Sequence, residues 1–349
     1  MIPSLFNSGL MGKPSTGGGS VGGWVELART TLGSAASSIT VSSLSDKRYY
    51  MILTDITQVA GNINLGHRLN SDTGSNYAHR LSKNGAADGT TTSATYIHTN
   101  QTGGNPWDLF NVGYLSNLST NEKLLINHGV NTGGSGATND PERTESVGKH
   151  AQTSNPVTGV TAFDIGAASN FDTNSEVVVL GWDAADTHTT NFWEELASVD
   201  QTGTTSNLSS GTFTAKKYLW IQSYIVPTAA LDATIQFNND TGSNYAFRDS
   251  RNGGADNTNI STSNLNVTAG HSPSVPYFMN MFIVNNSANE KLCITHHVYA
   301  ETAGAGTAPR RNEMVGKWAN TSAQITEIDW NFATSTATTG SKVRVWGSD

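Results

Sequence analysis

Asp72, Thr73, Gly74, Ser75, Asn76 and Tyr77 stand in a row, and the same six residue types return as Asp240, Thr241, Gly242, Ser243, Asn244 and Tyr245. Two kinds of chemistry fit such a run. Its oxygens could serve a hard cation such as Ca2+. Asp72 and Asn76, or Asp240 and Asn244, would then supply side-chain ligands, and Asp88 or Asp256 would have to be brought near by the following hairpin. Ca2+ takes about six to eight oxygens, however, and the run lacks the alternating aspartates of a dedicated calcium loop. The other reading is a tight turn. Asp and Asn fold back on their own backbone, Gly takes a positive φ, and Tyr enters the next strand facing the core. The spacing favours the turn; no metal or other cofactor is assigned, and Ca2+ stays open at these six residues.

Other residue types that do chemistry fail to group. His128 and His296 stand late in apolar strands with no second histidine or carboxylate at ligand spacing, which suits packing residues. Val147-Gly148-Lys149 and Val315-Gly316-Lys317 lack the leading glycine of a phosphate loop. No Gly-x-Ser-x-Gly elbow occurs. Asp and Glu are sparse, and the paired carboxylates of a glycosidase would need three-dimensional proximity that sequence does not give. The chain reads as a non-enzyme. Cys293 is the single cysteine, so neither an intrachain disulfide nor a cysteine-based zinc site can form. Its place in the alternating run Leu292–Tyr299 suits a buried, inert thiol.

The elements that position these residues come in duplicate. The aspartates lie 168 residues apart (240 − 72), and the same interval separates Asn121-Glu122-Lys123-Leu124 from Asn289-Glu290-Lys291-Leu292. So long a period is a domain duplication rather than a solenoid, whose repeats run about 20 to 50 residues. The expected organisation is a Gly/Ser-rich arm over 1–23, a first unit over 24–183, a linker over 184–191 and a second unit over 192–349. The arm carries apolar anchors, Ile2, Leu5, Phe6, Leu10 and Met11, which a purely flexible tail would not need; docking on a neighbouring subunit is the expectation.

Within each unit, apolar-rich or alternating runs predict strands over 48–57, 124–130, 176–182, 217–226, 278–284, 292–299 and 342–346. Asn-Gly, Asp-Gly and Gly-Gly punctuate them. Residues 191–197 read as one short turn at most. Eight to ten short strands per unit predict an all-β chain of two tandem β-sandwiches, jelly-roll-like.

The bulk properties narrow the partners. Net charge is −8 with pI about 5.5, so no cationic face awaits a nucleic acid. Charged residues are 14%, well under the roughly 25% of an ordinary domain, with Ser, Thr, Asn and Gly in their place. No apolar stretch of about 18 residues marks a membrane span. The first residues lack the charged start and apolar block of a secretory signal, and synthesis in a cytoplasm is expected.

Three further features carry a resemblance. They are N-x-D-T-G-S-N-Y-A-x-R from Asn70 and Asn238, S-x-N-G-x-x-D from Ser82 and Ser250, and closing strands ending at Gly181 and Gly347. Together with Trp24-Val25-Glu26-Leu27 and Thr30–Ser34, they make each unit similar to β-rich virion structural proteins of tailed phages, especially marine ones. The second unit departs at its start, where the Thr-Leu-Gly-Ser match is lost. The resemblance implies a place on a virus particle, assembled in the host cytoplasm. The expected partners are the major capsid protein or other virion proteins, with the chain a homo-oligomer on the particle. A capsid decoration or cement role is the first expectation. The alternative is a tail- or fibre-associated protein whose sandwich loops bind a glycan or receptor.

Overall fold

The computed structural model describes residues 23–104, 106–167, 171–184, 186, 190–229, 233–267 and 275–349. The anchors Ile2, Leu5, Phe6, Leu10 and Met11 lie outside them. Among the described residues there is no helix and there are 24 strands.

The first twelve begin with β1 (Val25–Thr31), β2 (Ser38–Val41), β3 (Tyr49–Ile56), β4 (Asn64–Leu69), β5 (Tyr77–Lys83) and β6 (Gly89–Ala94). They continue with β7 (Ile97–Gln101), β8 (Leu109–Ser116), β9 (Lys123–Asn131), β10 (Glu142–His150), β11 (Val160–Asp164) and β12 (Glu176–Trp182). The second twelve begin with β13 (Glu194–Asp200), β14 (Asn207–Ser209), β15 (Tyr218–Ile225), β16 (Ala233–Phe237), β17 (Tyr245–Arg251) and β18 (Asn257–Thr262). They end with β19 (Leu265–Asn266), β20 (Tyr277–Val284), β21 (Lys291–Tyr299), β22 (Arg310–Trp318), β23 (Ile328–Phe332) and β24 (Lys342–Ser348).

Each set makes one eight-stranded and one four-stranded sheet. The first pair runs β1-β12-β3-β8-β9-β10-β5-β6 and β2-β11-β4-β7. The second runs β13-β24-β15-β20-β21-β22-β17-β18 and β14-β23-β16-β19, the same order with every label raised by twelve. Early in each set the chain passes back and forth between its two sheets, the jelly-roll habit, although eight and four strands exceed the four and four of a plain jelly roll. The chain is thus two tandem β-sandwiches of one duplicated topology.

Alternation explains the layers. Ile39, Leu65 and Val160 from the small sheet meet Ile52, Leu115 and Val177 from the large one in the first core. The second core does the same with Leu208, Ile235 and Trp330 against Ile221, Met281 and Val345. In β21, Cys293 and Tyr299 enter that core, while Leu292 and Ile294 do not. Even irregularities are copied. A bulge breaks β5/β6 between Tyr77 and His79, and another breaks β17/β18 between Tyr245 and Phe247. Opposite them, Ser93 and Ser261 both take a left-handed φ, 52° and 50°.

Three expectations need correction. Each unit has twelve strands rather than eight to ten, because polar exposed strands such as β6 and β18 carry no apolar alternation to betray them. The segment read as a short turn, 191–197, gives way to strand β13, which pairs with β24 at the sheet edge. Gly74 and Gly242 do not supply the positive φ. That conformation sits at Asn70 and Ser71, and at Asn238 and Asn239, two consecutive left-handed residues in each copy.

The compact units are not contiguous halves. One holds the described residues through Ser82, with Asp88–Gly129 and Thr144–Glu194; the other holds Lys83–Ala87, Val130–Arg143 and Glu195–Asp349.

Candidate functional site

In the first copy the repeated run closes a turn between β4 and β5. The Gly74 N–H donates to Asp72 Oδ1 at 2.7 Å, and the Asn76 amide donates to Asp72 Oδ2 at 2.8 Å. His150, the last residue of β10, brings its Nε2–H to the same Oδ2 at 2.8 Å. Its ring stacks on Tyr77 at a centroid distance of 4.5 Å. The Tyr77 hydroxyl accepts from the Leu69 N–H at 3.0 Å and donates back to the Leu69 carbonyl at 3.1 Å. Partial burial pushes the Asp72 carboxyl up, but the donors His150, Asn76 and Gly74 outweigh it and hold the group below the ordinary carboxylate range. Burial raises the Tyr77 hydroxyl to about 12.

The second copy rebuilds this turn with one exchange. Gly242 N–H donates to Asp240 Oδ1 at 2.8 Å and Asn244 donates to Oδ2 at 2.9 Å. The third donor is the indole of Trp318, whose Nε1–H reaches Asp240 Oδ2 at 2.7 Å. Tyr245 takes the place of Tyr77, accepting from Phe237 N–H at 2.9 Å. Burial pushes Asp240 up too; the Trp318, Asn244 and Gly242 donors prevail and its carboxyl sits low. Glycine is needed here for closeness rather than handedness. A Cβ on Gly74 would lie 2.8 Å from Asn76 Nδ2 and 3.1 Å from Asp72 Oδ1.

The residues considered as oxygen ligands therefore fall into two separate roles. Asp72, Asn76, Asp240 and Asn244 spend their polar atoms on the turn. Asp88 is engaged by Arg80 at 3.2 Å on an exposed edge, and Asp256 by Arg143 at 2.7 Å in a buried position.

The Asn-Glu-Lys-Leu repeat holds a second matched device. Lys123 and Lys291 are buried side chains. Lys123 Nζ donates to the carbonyls of Ser119 at 3.2 Å, Asn121 at 2.9 Å and Gln152 at 2.9 Å. Lys291 Nζ repeats the set with Ser287 at 3.3 Å, Asn289 at 2.9 Å and Asn320 at 2.7 Å. Three carbonyl dipoles satisfy the three ammonium protons, which is what lets a lysine be buried without a carboxylate. Burial lowers both groups, Lys291 to about 8.

A third shared element is a Glu–Lys pair, and here the copies differ. Glu122 and Lys149 meet at 3.0 Å with both side chains exposed. Glu290 and Lys317 meet at 3.1 Å with both buried. In the second compact unit, segment 130–143 lies over this pair. Lys317 Nζ donates to the carbonyls of Thr132 at 2.9 Å and Gly134 at 2.6 Å, and Gly136 N–H donates to Glu290 Oε1. Ser261 N–H donates to Ala137 O at 2.8 Å. Arg143 closes the segment on Asp256 and, at 3.0 Å, on Glu313, while Arg248 holds Asp140 and the Pro141 carbonyl.

His150 and Trp318, the third donors of the turns, are not among the residues that the sequence motifs single out. Their signal was available: each follows Val-Gly-Lys directly, at the same 168-residue interval. Lys123 and Lys291 were legible as repeated residues but not as caged ammoniums, because their partners are backbone atoms that any residue supplies.

No family model matches the chain, and no curated protein matches it. Among solved structures it is similar to the LG1-3 region of the laminin alpha2 chain, at 8% identity and a TM-score of 0.21, over 89% of this chain and 59% of that one. It is also similar to domains LG4-5 of the mouse laminin alpha1 chain, at 9% identity and a TM-score of 0.18, over 90% of this chain and 89% of that one. The chain spans 59% of the length of the first of these.

Proposed function

We propose that the chain is a non-enzymatic virion structural protein, a capsid decoration or cement protein bound to the outside of a phage particle through the major capsid protein or other virion proteins. The observation that carries this reading is the fate of the repeated polar residues. In both copies the aspartate of the turn and the lysine of the cage are consumed in holding loops to strands. A duplicated scaffold that invests its matched polar groups in rigidity suits a particle protein better than a catalyst. The motif resemblance supports the same class, and the polar, charge-poor composition agrees with it.

Cryo-electron microscopy of the particle that carries the chain tests this. Density repeated over the capsid lattice is the expected result. Density at the tail or a fibre tip would overturn decoration.

One observation favours the alternative, a tail- or fibre-associated protein that binds a glycan. Tyr49, exposed, stacks on Trp182 with ring centroids 5.5 Å apart, an aromatic platform of the kind on which sugars lie. Glycan binding that is lost in Tyr49→Ala would move the assignment to that reading.

A further inference from the structure

One face of the eight-stranded sheet is bare in the first copy and covered in the second. Leu124, Ile126 and Val147 are 55%, 52% and 48% exposed, whereas Leu292, Ile294 and Val315, 168 residues on, are 1%, 3% and 1% exposed. Neither trio belongs to its sandwich core, so both lie on the outward face. Three large aliphatic side chains side by side on adjacent strands form a patch of the kind that marks a protein interface. The second copy shows what such a face accepts. Its Glu290–Lys317 pair, on the same sheet, carries segment 130–143, held by the bonds described above.

The landing points of that segment recur in the sequence of the first copy. Glu122, Lys149, Ser93, Asp88 and Glu145 stand 168 residues before Glu290, Lys317, Ser261, Asp256 and Glu313. The segment recurs as well. Val298, Gly304, Ala305, Pro309 and Arg311 take the places of Val130, Gly136, Ala137, Pro141 and Arg143. Backbone handedness agrees at two points and departs at a third: Gly133 and Gly136 have positive φ (62° and 79°), as do Glu301 and Gly304 (54° and 85°), whereas Gly134 (127°) is matched by Thr302, which is not left-handed. Yet residues 302–309 are exposed, while Thr132, Pro141 and Arg143 are buried. Among the described residues one tip is thus joined to a face, while residues 302–309 and Leu124, Ile126 and Val147 are exposed.

We propose that the 298–311 tip of one chain docks on the Leu124–Ile126–Val147 face of a second copy of this chain, head to tail. Lys149 then donates to the carbonyls of Ala300 and Thr302, Gly304 N–H donates to Glu122, and Arg311 bridges Asp88 and Glu145. One contact is not repeated, because Ala308 stands where Asp140 meets Arg248. Lacking that ion pair and the covalent tether, the joint between chains is weaker than its counterpart within a chain and depends on concentration. Such an interface is heterologous, so it builds a ring if the rotation closes and a filament if it does not. Such docking is a property of the isolated chain, wherever on a particle the chain resides.

The test is sedimentation velocity on the purified full chain across a concentration range, with Ile126→Glu and Arg311→Glu beside it. Both positions are exposed, and an unchanged melting temperature checks that each variant folds. The expected result is a mass that rises with concentration in the parent chain, with association weakened about tenfold or more in each variant. A mixture of the two variants should recover pairs and stop there, since Ile126→Glu keeps a good tip and Arg311→Glu keeps a good face. A parent chain that stays monomeric throughout overturns the proposal. So does association lost in Ile126→Glu but kept in Arg311→Glu, which would mark a face-to-face dimer, and so does association kept in both.

Discussion

Trp318 donates its indole N–H to Asp240 at 2.7 Å where, in the other copy, His150 donates its imidazole N–H to Asp72 at 2.8 Å. Two different aromatic donors, each following Val-Gly-Lys as the last residue of its strand and each stacked on a tyrosine, pin the same aspartate turn. The requirement is a flat ring with one N–H, not a particular residue.

Asp240→Ala should therefore destabilise the second sandwich by about 1–3 kcal/mol, since it strips a charged acceptor from a buried indole and two further donors. Asp72→Ala should act likewise on the first. Urea unfolding reads both. A loss within about 0.5 kcal/mol, the range of an ordinary surface change, would mean the turn closes without its carboxylate.

Acid should weaken the first sandwich through His67. The ring is buried between Thr54 and Thr99, at 3.2 and 2.8 Å, and burial lowers its pKa from the ordinary 6.5 to about 4. The unfolded chain thus binds a proton that the folded chain refuses between those values. Stability conferred by the neutral ring is present above pH 6.5 and falls as pH drops towards 4. Denaturation midpoints of the parent and His67→Gln, compared from pH 7 to 4, should show the steeper loss in the parent.

Base should do the reverse at Lys291. Its folded value near 8 lies below the ordinary 10.5, so the cost of burying the charge is fully present below pH 8 and is relieved as pH rises towards 10.5. The parent should gain stability relative to Lys291→Met over that interval. At neutral pH the variant should still be less stable, by about 1–3 kcal/mol, because three carbonyls lose their donor. Equal slopes in the two proteins would refute the account.

The two Glu–Lys pairs make a controlled comparison. Glu290→Gln leaves Lys317 buried with a diminished partner and should cost about 3 kcal/mol or more. Glu122→Gln, at an exposed pair, should change stability by less than about 1 kcal/mol. Thermal unfolding of the two variants in parallel decides it.

The fold was largely legible because its information is local. The alternation in Leu292–Tyr299 places Cys293 and Tyr299 inward without reference to anything distant, and the 168-residue interval exposes the duplication directly. Edge strand β13 was missed because its half-exposed residues need no apolar period. The site was less legible for a sharper reason. Glu122-Lys123-Leu124 and Glu290-Lys291-Leu292 are the same tripeptide, yet Leu124 is exposed and Leu292 buried. The neighbouring Glu290 and Lys317 carry a segment more than a hundred residues away in sequence, and no local pattern reports it.

The caged lysines also bear on digestion. Lys123, Lys291 and Lys317 are among the few basic residues in the chain, and all three side chains are sealed inside it. A protease that cuts after lysine must take the residue into its own cleft, so at these positions the protein has to come apart before it can be cut. Tryptic cleavage at these three bonds is then a clock for unfolding rather than a probe of the surface.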